Sequence, residues 1–142
     1  MLVYAHRGYH AAAPENTLAA FGAAVACGVD GIETDVRLSA DGLPVIIHDR
    51  VTPRGRAVAA LTRAEIERDV GHAVPTLAEI LDALPAVAWN IEIKTPQAWP
   101  AARRELAARA RSHRLLVTSF RHDVVAACAA ELDLACGLLL AS

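Results

Sequence analysis

Hydrophobic and polar positions along the chain alternate between a period of two and a helical period. Leu2 to Ala5 is a short apolar run ending at His6-Arg7-Gly8. Gly31 to Val36 alternates, setting Glu33 and Asp35 on one strand face and Ile32, Thr34 and Val36 on the other. Val87 to Lys94 does the same, with Asn90, Glu92 and Lys94 opposed to Ile91 and Ile93. Leu115 to Thr118 and Ala135 to Leu140 read as two more strands. Helices fall between them. Asn16 or Thr17 is placed to cap the first, whose buried face is marked by Leu18, Phe21 and Val25 and which stops at Gly28. Thr62 with Glu65, and Thr76 with Glu79, are capping boxes. Helices over Pro100 to Arg111 and Arg121 to Leu132 complete the pattern.

The stretch 36–47 behaves differently. Asp41-Gly42 is a strong two-residue hairpin signal, and counting outward from it sets Leu38 opposite Val45, Val36 opposite Ile47 and Asp35 opposite His48. A crossover helix needs a dozen or more residues, which this segment lacks. It is therefore predicted to be a β-ribbon that leaves the sheet rim and returns. Arg50 to Ala60 follows as a basic loop containing Pro53 and Gly55.

Strands and helices in alternation, with polar residues gathered at strand ends, predict an α/β fold of the TIM-barrel type. The pattern supplies five barrel strands, at 2–5, 31–36, 87–93, 115–118 and 135–140. A closed barrel has eight strands and takes ~250 residues, so an incomplete barrel is expected. Its first and last strands would carry open edges, and its inward faces would leave apolar surface in water. Self-association, or a missing C-terminal segment, is the expected consequence.

Composition narrows the functional classes. The chain has 142 residues, enough for one domain, with 54% hydrophobic but only 4% aromatic residues. A net charge of -2 without a basic block gives nucleic-acid binding little electrostatic support. No stretch is long enough to span a bilayer, and Met1 to Ala5 is too short for a signal peptide. Cys27, Cys128 and Cys136 lack metal or redox spacing and are read as buried, reduced thiols of a cytoplasmic protein. His10, His72, His113 and His122 have no polar company that points to chemistry and are read as surface or capping residues.

Glu33, Asp35 and Glu92 are the candidate metal ligands. Three carboxylates facing one cavity repel one another unless a cation neutralises them, and an all-oxygen set favours Mg²⁺ or Ca²⁺. His6 and His48 flank them as a candidate acid and base pair, since imidazole titrates near ~6.5. Arg7 and Lys94 bring positive charge to the same rim, as an anionic phosphodiester requires.

The segments Ala5-His6-Arg7-Gly8, Pro14-Glu15-Asn16-Thr17, Gly31-Ile32-Glu33-Thr34-Asp35-Val36, Asp41-Gly42, His48-Asp49, Pro75-Thr76-Leu77, Asn90-Ile91-Glu92-Ile93-Lys94 and Ser119-Phe120 stand in a specific order. Together they resemble the glycerophosphodiester phosphodiesterase family, a group of phospholipase-C-like TIM-barrel phosphodiesterases. The resemblance implies hydrolysis of a small glycerophosphodiester to glycerol 3-phosphate and an alcohol, an activity of lipid metabolism dependent on one divalent cation. By likeness, His6 and His48 match the acid and base, and Glu33, Asp35 and Glu92 the metal ligands. Arg7 and Lys94 match phosphate-contacting residues, and Asn16 a residue near the phosphate end of the site. The glycerol 2-hydroxyl is expected to attack phosphorus first, giving a cyclic product that water opens.

The chain also departs from the family pattern. The run after His48-Asp49, which shapes the wall at the glycerol end, survives only as Arg50 and Thr52-Pro53-Arg54-Gly55. The likeness spans nearly the whole chain but only about three fifths of a typical barrel domain. Residues 1–142 are thus read as a partial domain lacking C-terminal units. A catalytically impaired or inactive barrel fragment is the reading of a different class. Related sphingomyelinase D-type phosphodiesterases share two histidines and three carboxylates, but Pro14-Glu15-Asn16-Thr17 favours the glycerophosphodiesterase.

Overall fold

The computed structural model describes residues 1–11 and 13–141. Its parallel strands are β1 (Tyr4–His6), β2 (Gly31–Leu38), β4 (Ala88–Ile93), β5 (Leu115–Ser119) and β6 (Ala135–Leu138), and β3 is Pro44–Ile46. The helices are α1 (Leu18–Ala26), α2 (Arg63–Val70), α3 (Leu77–Ala83), α4 (Trp99–Arg109) and α5 (His122–Glu131). Strand order is β1-β2-β4-β5-β6, with β3 paired to β2 off this path. Every contact along the main path is parallel. The five-strand count therefore holds, and the sheet is an open part of a TIM-barrel wall.

Helices cover one face. Ile32, Val36, Trp89, Ile91, Ile93 and Val117 are fully buried there. They belong to one core with Phe21 of α1, Leu77, Ile80 and Leu81 of α3, Leu106 of α4 and Val124 of α5. Phe21 meets Trp89 edge-on, with ring centroids 5.2 Å apart. Both predicted capping boxes form, at the starts of α2 and α3. Thr17 rather than Asn16 caps α1, its side chain accepting from the Ala20 amide.

The buried stripe of α1 is Ala20, Phe21 and Ala24, while Leu18 and Val25 are 42% and 39% exposed. This corrects the predicted face. The physical reason is close backbone approach: Tyr9 N donates to Ala20 O at 2.9 Å. A Cβ on Gly8 (φ +85°) would stand only 2.8 Å from the Ala20 carbonyl carbon. A helix pressed so near the His6-Arg7-Gly8 turn presents Ala20 to it, and Leu18 and Val25 turn outward while Phe21 stays in the core.

The ribbon forms and is antiparallel, but its register differs from the predicted one by one residue. Val36 faces Ile46 and Leu38 faces Pro44. The loop has three residues, not two: Ser39 N donates to Leu43 O at 3.0 Å, and Gly42 adopts φ +78°. Asp35 consequently lies across from Ile47, whose amide donates to the Asp35 carbonyl at 3.1 Å. His48 falls one position further along the rim.

The opposite face of the sheet runs into the barrel interior. Parallel register aligns His6, Glu33, Asn90, Leu116 and Ala135 in one row, and Asp35, Glu92, Thr118 and Gly137 in the next. Apart from the half-buried Leu116 these rows are polar or small, so the open sheet presents little of the expected apolar inward surface. Exposed apolar side chains lie at the edges, with Leu2 and Val3 before β1 and Leu138 and Leu140 at and after β6, while Tyr4 of β1 covers Gly31 on the inward side. The thiol reading also needs correction, because Cys27 is exposed at the end of α1, Cys136 is half-buried and only Cys128 is buried.

The basic loop after His48 is tied down by one acid. The Asp69 carboxylate accepts from Thr52 Oγ1 at 2.8 Å and from Arg56 Nε and Nη2 at 2.9 and 2.6 Å. The Arg56 hydrogen bonds hold Asp69 down at about 2, against the opposing effect of burial. Its folded value lies below the ordinary 3.8, so its contribution to stability is complete above about pH 4 and disappears as pH falls toward 2. Asp69→Asn is expected to lower the urea midpoint at pH 7 and to flatten its decline across that acid window. Urea midpoints measured at stepped pH check this.

Candidate active site

The site stands at the carboxyl ends of β1, β2 and β4, and the alternation that the sequence shows is what delivers it. Asp35 and Glu92 are level with each other on neighbouring strands, and Glu33 lies one row below. One carboxylate oxygen from each of the three lies within 4.8 Å of the others. Lys94 follows β4 and places Nζ 2.8 Å from Asp35 Oδ1 and 2.7 Å from Glu92 Oε1. Arg7 follows β1; its Nη1 donates to Glu15 and its Nε lies 3.2 Å from Asp35 Oδ2. His6 Nε2 is 3.7 Å from Glu33 Oε2.

Asn16 is buried with φ +58°, and its amide is largely engaged. Nδ2 donates to Asp35 Oδ2 at 2.9 Å, while Oδ1 accepts from Thr34 Oγ1 at 2.8 Å. Arg7 shares the left-handed backbone (φ +58°), and the Asn16 backbone N–H donates to the Arg7 carbonyl at 3.0 Å. Two non-glycine residues in that region, joined to each other, mark a turn held in place by its surroundings.

Since β1 and β3 flank the same edge of β2, His6 and His48 rise on the same side of it. His48 Nδ1 is 2.8 Å from Asp49 Oδ1, and its carbonyl accepts from Arg37 Nε at 2.7 Å. The His48 ring lines a cavity of about 180 Å³ together with Glu15 and Asn16.

The electrostatics follow from crowding. Burial pushes the Glu33 carboxyl up to about 7, and the charges of Asp35 and Glu92 add to it. Burial acts on Asp35 in the same direction, but the Lys94 ammonium and the Asn16 amide outweigh it and hold Asp35 below its ordinary value. Burial and then the Arg7 charge keep His6 below the usual imidazole range.

Buried polar atoms nearly always have partners. Among the described residues four buried side-chain atoms lack a hydrogen bond, and three belong to this cluster: Arg7 Nε, Glu33 Oε2 and Asp35 Oδ1. The last has the Lys94 ammonium nearby but not in hydrogen-bonding alignment. A hard cation would satisfy the two carboxylate oxygens, and an all-oxygen donor set suits one. The residues present fit a divalent ion.

The sequence model of the Glycerophosphoryl diester phosphodiesterase family matches residues 6–141. The chain belongs to this family. It is 36% identical over 142 residues to a glycerophosphodiester phosphodiesterase of Caldanaerobacter subterraneus, an alignment covering 85% of this chain and 58% of that protein. A probable glycerophosphodiester phosphodiesterase 2 of Mycobacterium tuberculosis is 38% identical over 105 residues, covering 68% of this chain and 40% of that one. Among solved structures, the glycerophosphodiester phosphodiesterase of Thermotoga maritima superposes with a TM-score of 0.83 at 30% identity, over 100% of this chain and 63% of that chain. An Oleispira antarctica phosphodiesterase, solved in complex with the product sn-glycerol-3-phosphate, gives 0.84 at 27% identity, over 100% and 67%. The chain thus spans well under two thirds of the first of these relatives.

All eight sequence-selected residues lie on this rim or just beside it, with His48 displaced by the register shift. Sequence reasoning missed Glu15, which holds Arg7, and Asp49, which orients His48. Each is the chain neighbour of a residue already singled out, and that adjacency was the available signal. No helix among the described residues is long and apolar enough to cross a membrane.

Proposed function

We propose that this chain carries the metal and acid–base centre of a phosphodiesterase that hydrolyses glycerophosphodiesters to glycerol 3-phosphate and an alcohol. Residues 1–142 are read as part of such a domain. The observation that carries the proposal is the clustering of Glu33, Asp35 and Glu92 oxygens within 4.8 Å, with buried atoms of Glu33 and Asp35 left without a hydrogen bond, beside His6 at the mouth of the sheet. That the Oleispira phosphodiesterase holds sn-glycerol-3-phosphate as product supports the substrate class.

In this reading Glu33, Asp35 and Glu92 hold one divalent cation, Mg²⁺ or Ca²⁺. When bound, such an ion polarises the non-bridging phosphate oxygens and draws charge from the transition state. The chain does the rest. Arg7 and the free N–H groups of Lys94 face the phosphate, both already oriented by Asp35. Asn16 fixes the Asp35 carboxylate and retains one amide hydrogen for the phosphate end. His6, kept below the usual imidazole range, is suited to accept the proton of the attacking hydroxyl. His48, fixed through Nδ1 by Asp49, keeps Nε2 for donating a proton to the leaving alcohol.

The test is hydrolysis of a glycerophosphodiester with added Mg²⁺ or Ca²⁺ and with chelator. His6→Ala and His48→Ala are each expected to lower the metal-dependent rate by ~10²–10⁴-fold while metal affinity stays near that of the parent. Hydrolysis that survives either substitution, or is indifferent to chelator, contradicts the assignment. A parent chain that binds metal but shows no turnover supports the inactive-fragment reading instead.

A further inference from the structure

A second cavity, of about 570 Å³, is bounded by Arg37, Leu38, Arg50, Val58, Thr95 and Gln97 among others. Four chain segments build it; residues 57–59 form one, and the other three follow closely on site residues. Arg37 and Leu38 follow Asp35 on β2, Arg50 follows His48-Asp49, and Thr95 and Gln97 follow Lys94. Arg37 shares the inward side of β2 with Glu33 and Asp35, by strand alternation. The Arg37 end of the cavity is set beside the candidate site, since Arg37 Nε donates to the His48 carbonyl at 2.7 Å.

Its charge is one-sided. No aspartate or glutamate lines it, and two arginines do. Arg7, Arg56 and Lys94 all hold carboxylates. Neither Arg37 nor Arg50 has a carboxylate oxygen within 4.0 Å among the described residues. Arg37 is half-buried, and its Nε is fixed on the His48 carbonyl at 2.7 Å, so its guanidinium is held in place, and among the described residues neither Nη group has a protein acceptor. Buried Val58 gives the cavity an apolar floor. An oriented, partly desolvated guanidinium with a second one beside it is the arrangement that recognises a carboxylate or a phosphate monoester.

We propose that this cavity binds an anionic group carried on the end of the substrate, so that the preferred diesters bear a second negative charge beyond the phosphodiester itself. The proposal rests on the phosphodiesterase reading for the nature of the ligand, and on Arg37 and Arg50 for its charge. The loop after His48, expected to shape the wall at the glycerol end, contributes Arg50 to this cavity along with the apolar Val51 and Val58.

Two probes separate the claims: glycerophosphoglycerol, and the same diester with a phosphate monoester on its terminal hydroxyl. Calorimetric titration of residues 1–142 in the presence of Ca²⁺ reads binding, and product release is followed separately. The phosphorylated diester is expected to bind ~10-fold more tightly, and Arg37→Gln and Arg50→Gln are each expected to remove most of that ratio. A ratio that collapses in the variants while neither probe is hydrolysed upholds the anion site and counts against the phosphodiesterase reading. Equal affinity for the two probes in the parent, no binding of either, or a ratio that survives both substitutions overturns the anion site.

Discussion

Asp35→Ala is expected to abolish glycerophosphodiester hydrolysis and to lower the unfolding free energy by ~3–5 kcal/mol, the range for removing one partner of a buried charge network. The Asp35 side chain is wholly buried and touches Lys94, Arg7 and Asn16 at 2.8, 3.2 and 2.9 Å. Without it, Arg7 keeps only the partly exposed Glu15, Lys94 keeps only Glu92, and Asn16 loses its acceptor. The buried cationic side chains are then undercompensated, and the Arg7–Asn16 turn loses the group that anchors both of its ends. Asp35→Asn separates the two effects: it preserves volume and an oxygen for Asn16 but not the charge, so activity should be lost with a smaller fall in stability. Urea unfolding and diesterase assays on the same preparations check both. An Asp35→Ala variant with parental stability would show that the network is not coupled to the fold.

The second large effect concerns the open sheet. Residues 1–142 on their own are expected to self-associate, because β1 and β6 end the sheet with unpaired backbone edges. Leu2 and Val3 are 74% and 48% exposed beside one edge, and Leu140 is 80% exposed beyond the other. The inward face contributes less to this tendency, since Leu116 apart its two described rows are polar or small. The edges are the determinants, and association is therefore expected to respond to edge charge. Light scattering should show mass rising with concentration in the parent, and Val3→Lys with Leu138→Lys should suppress it. Net stability is expected near or below the ~5 kcal/mol low end for natural domains. A monodisperse monomer at every concentration would contradict the edge argument.

The site was more legible than the rim around it, for a physical reason. Glu33, Asp35, Glu92 and Lys94 are placed by strand alternation, a period that one-residue reading detects. Thr62 and Thr76 announce α2 and α3 because both halves of a capping box lie within four consecutive residues. The ribbon register was not legible, because Ser39-Ala40-Asp41-Gly42-Leu43 fits a two- or a three-residue loop. The observed choice goes with the Leu43 amide, which donates to Ser39 Oγ at 3.1 Å, and with glycine in the left-handed position. The face of α1 was hidden for a different reason. Alanines at 20 and 24 carry little hydrophobic signal, yet both are buried, and Ala20 is what lets α1 approach the Gly8 turn. Asp69 clamping Thr52 and Arg56 from 17 and 13 residues away is a tertiary contact that no local pattern announces.

The account turns on whether Glu33, Asp35 and Glu92 form one cation site. Glu33 is the residue to change, because no lysine or arginine pairs with it among the described residues, and Glu33→Gln should leave the fold intact. Calorimetric titration of Mg²⁺ and Ca²⁺ into the parent and the variant tests this directly. One divalent ion per chain in the parent, bound ~100-fold or more weakly in Glu33→Gln, is the predicted result. No binding by the folded parent, or equal affinity in the variant, would contradict it.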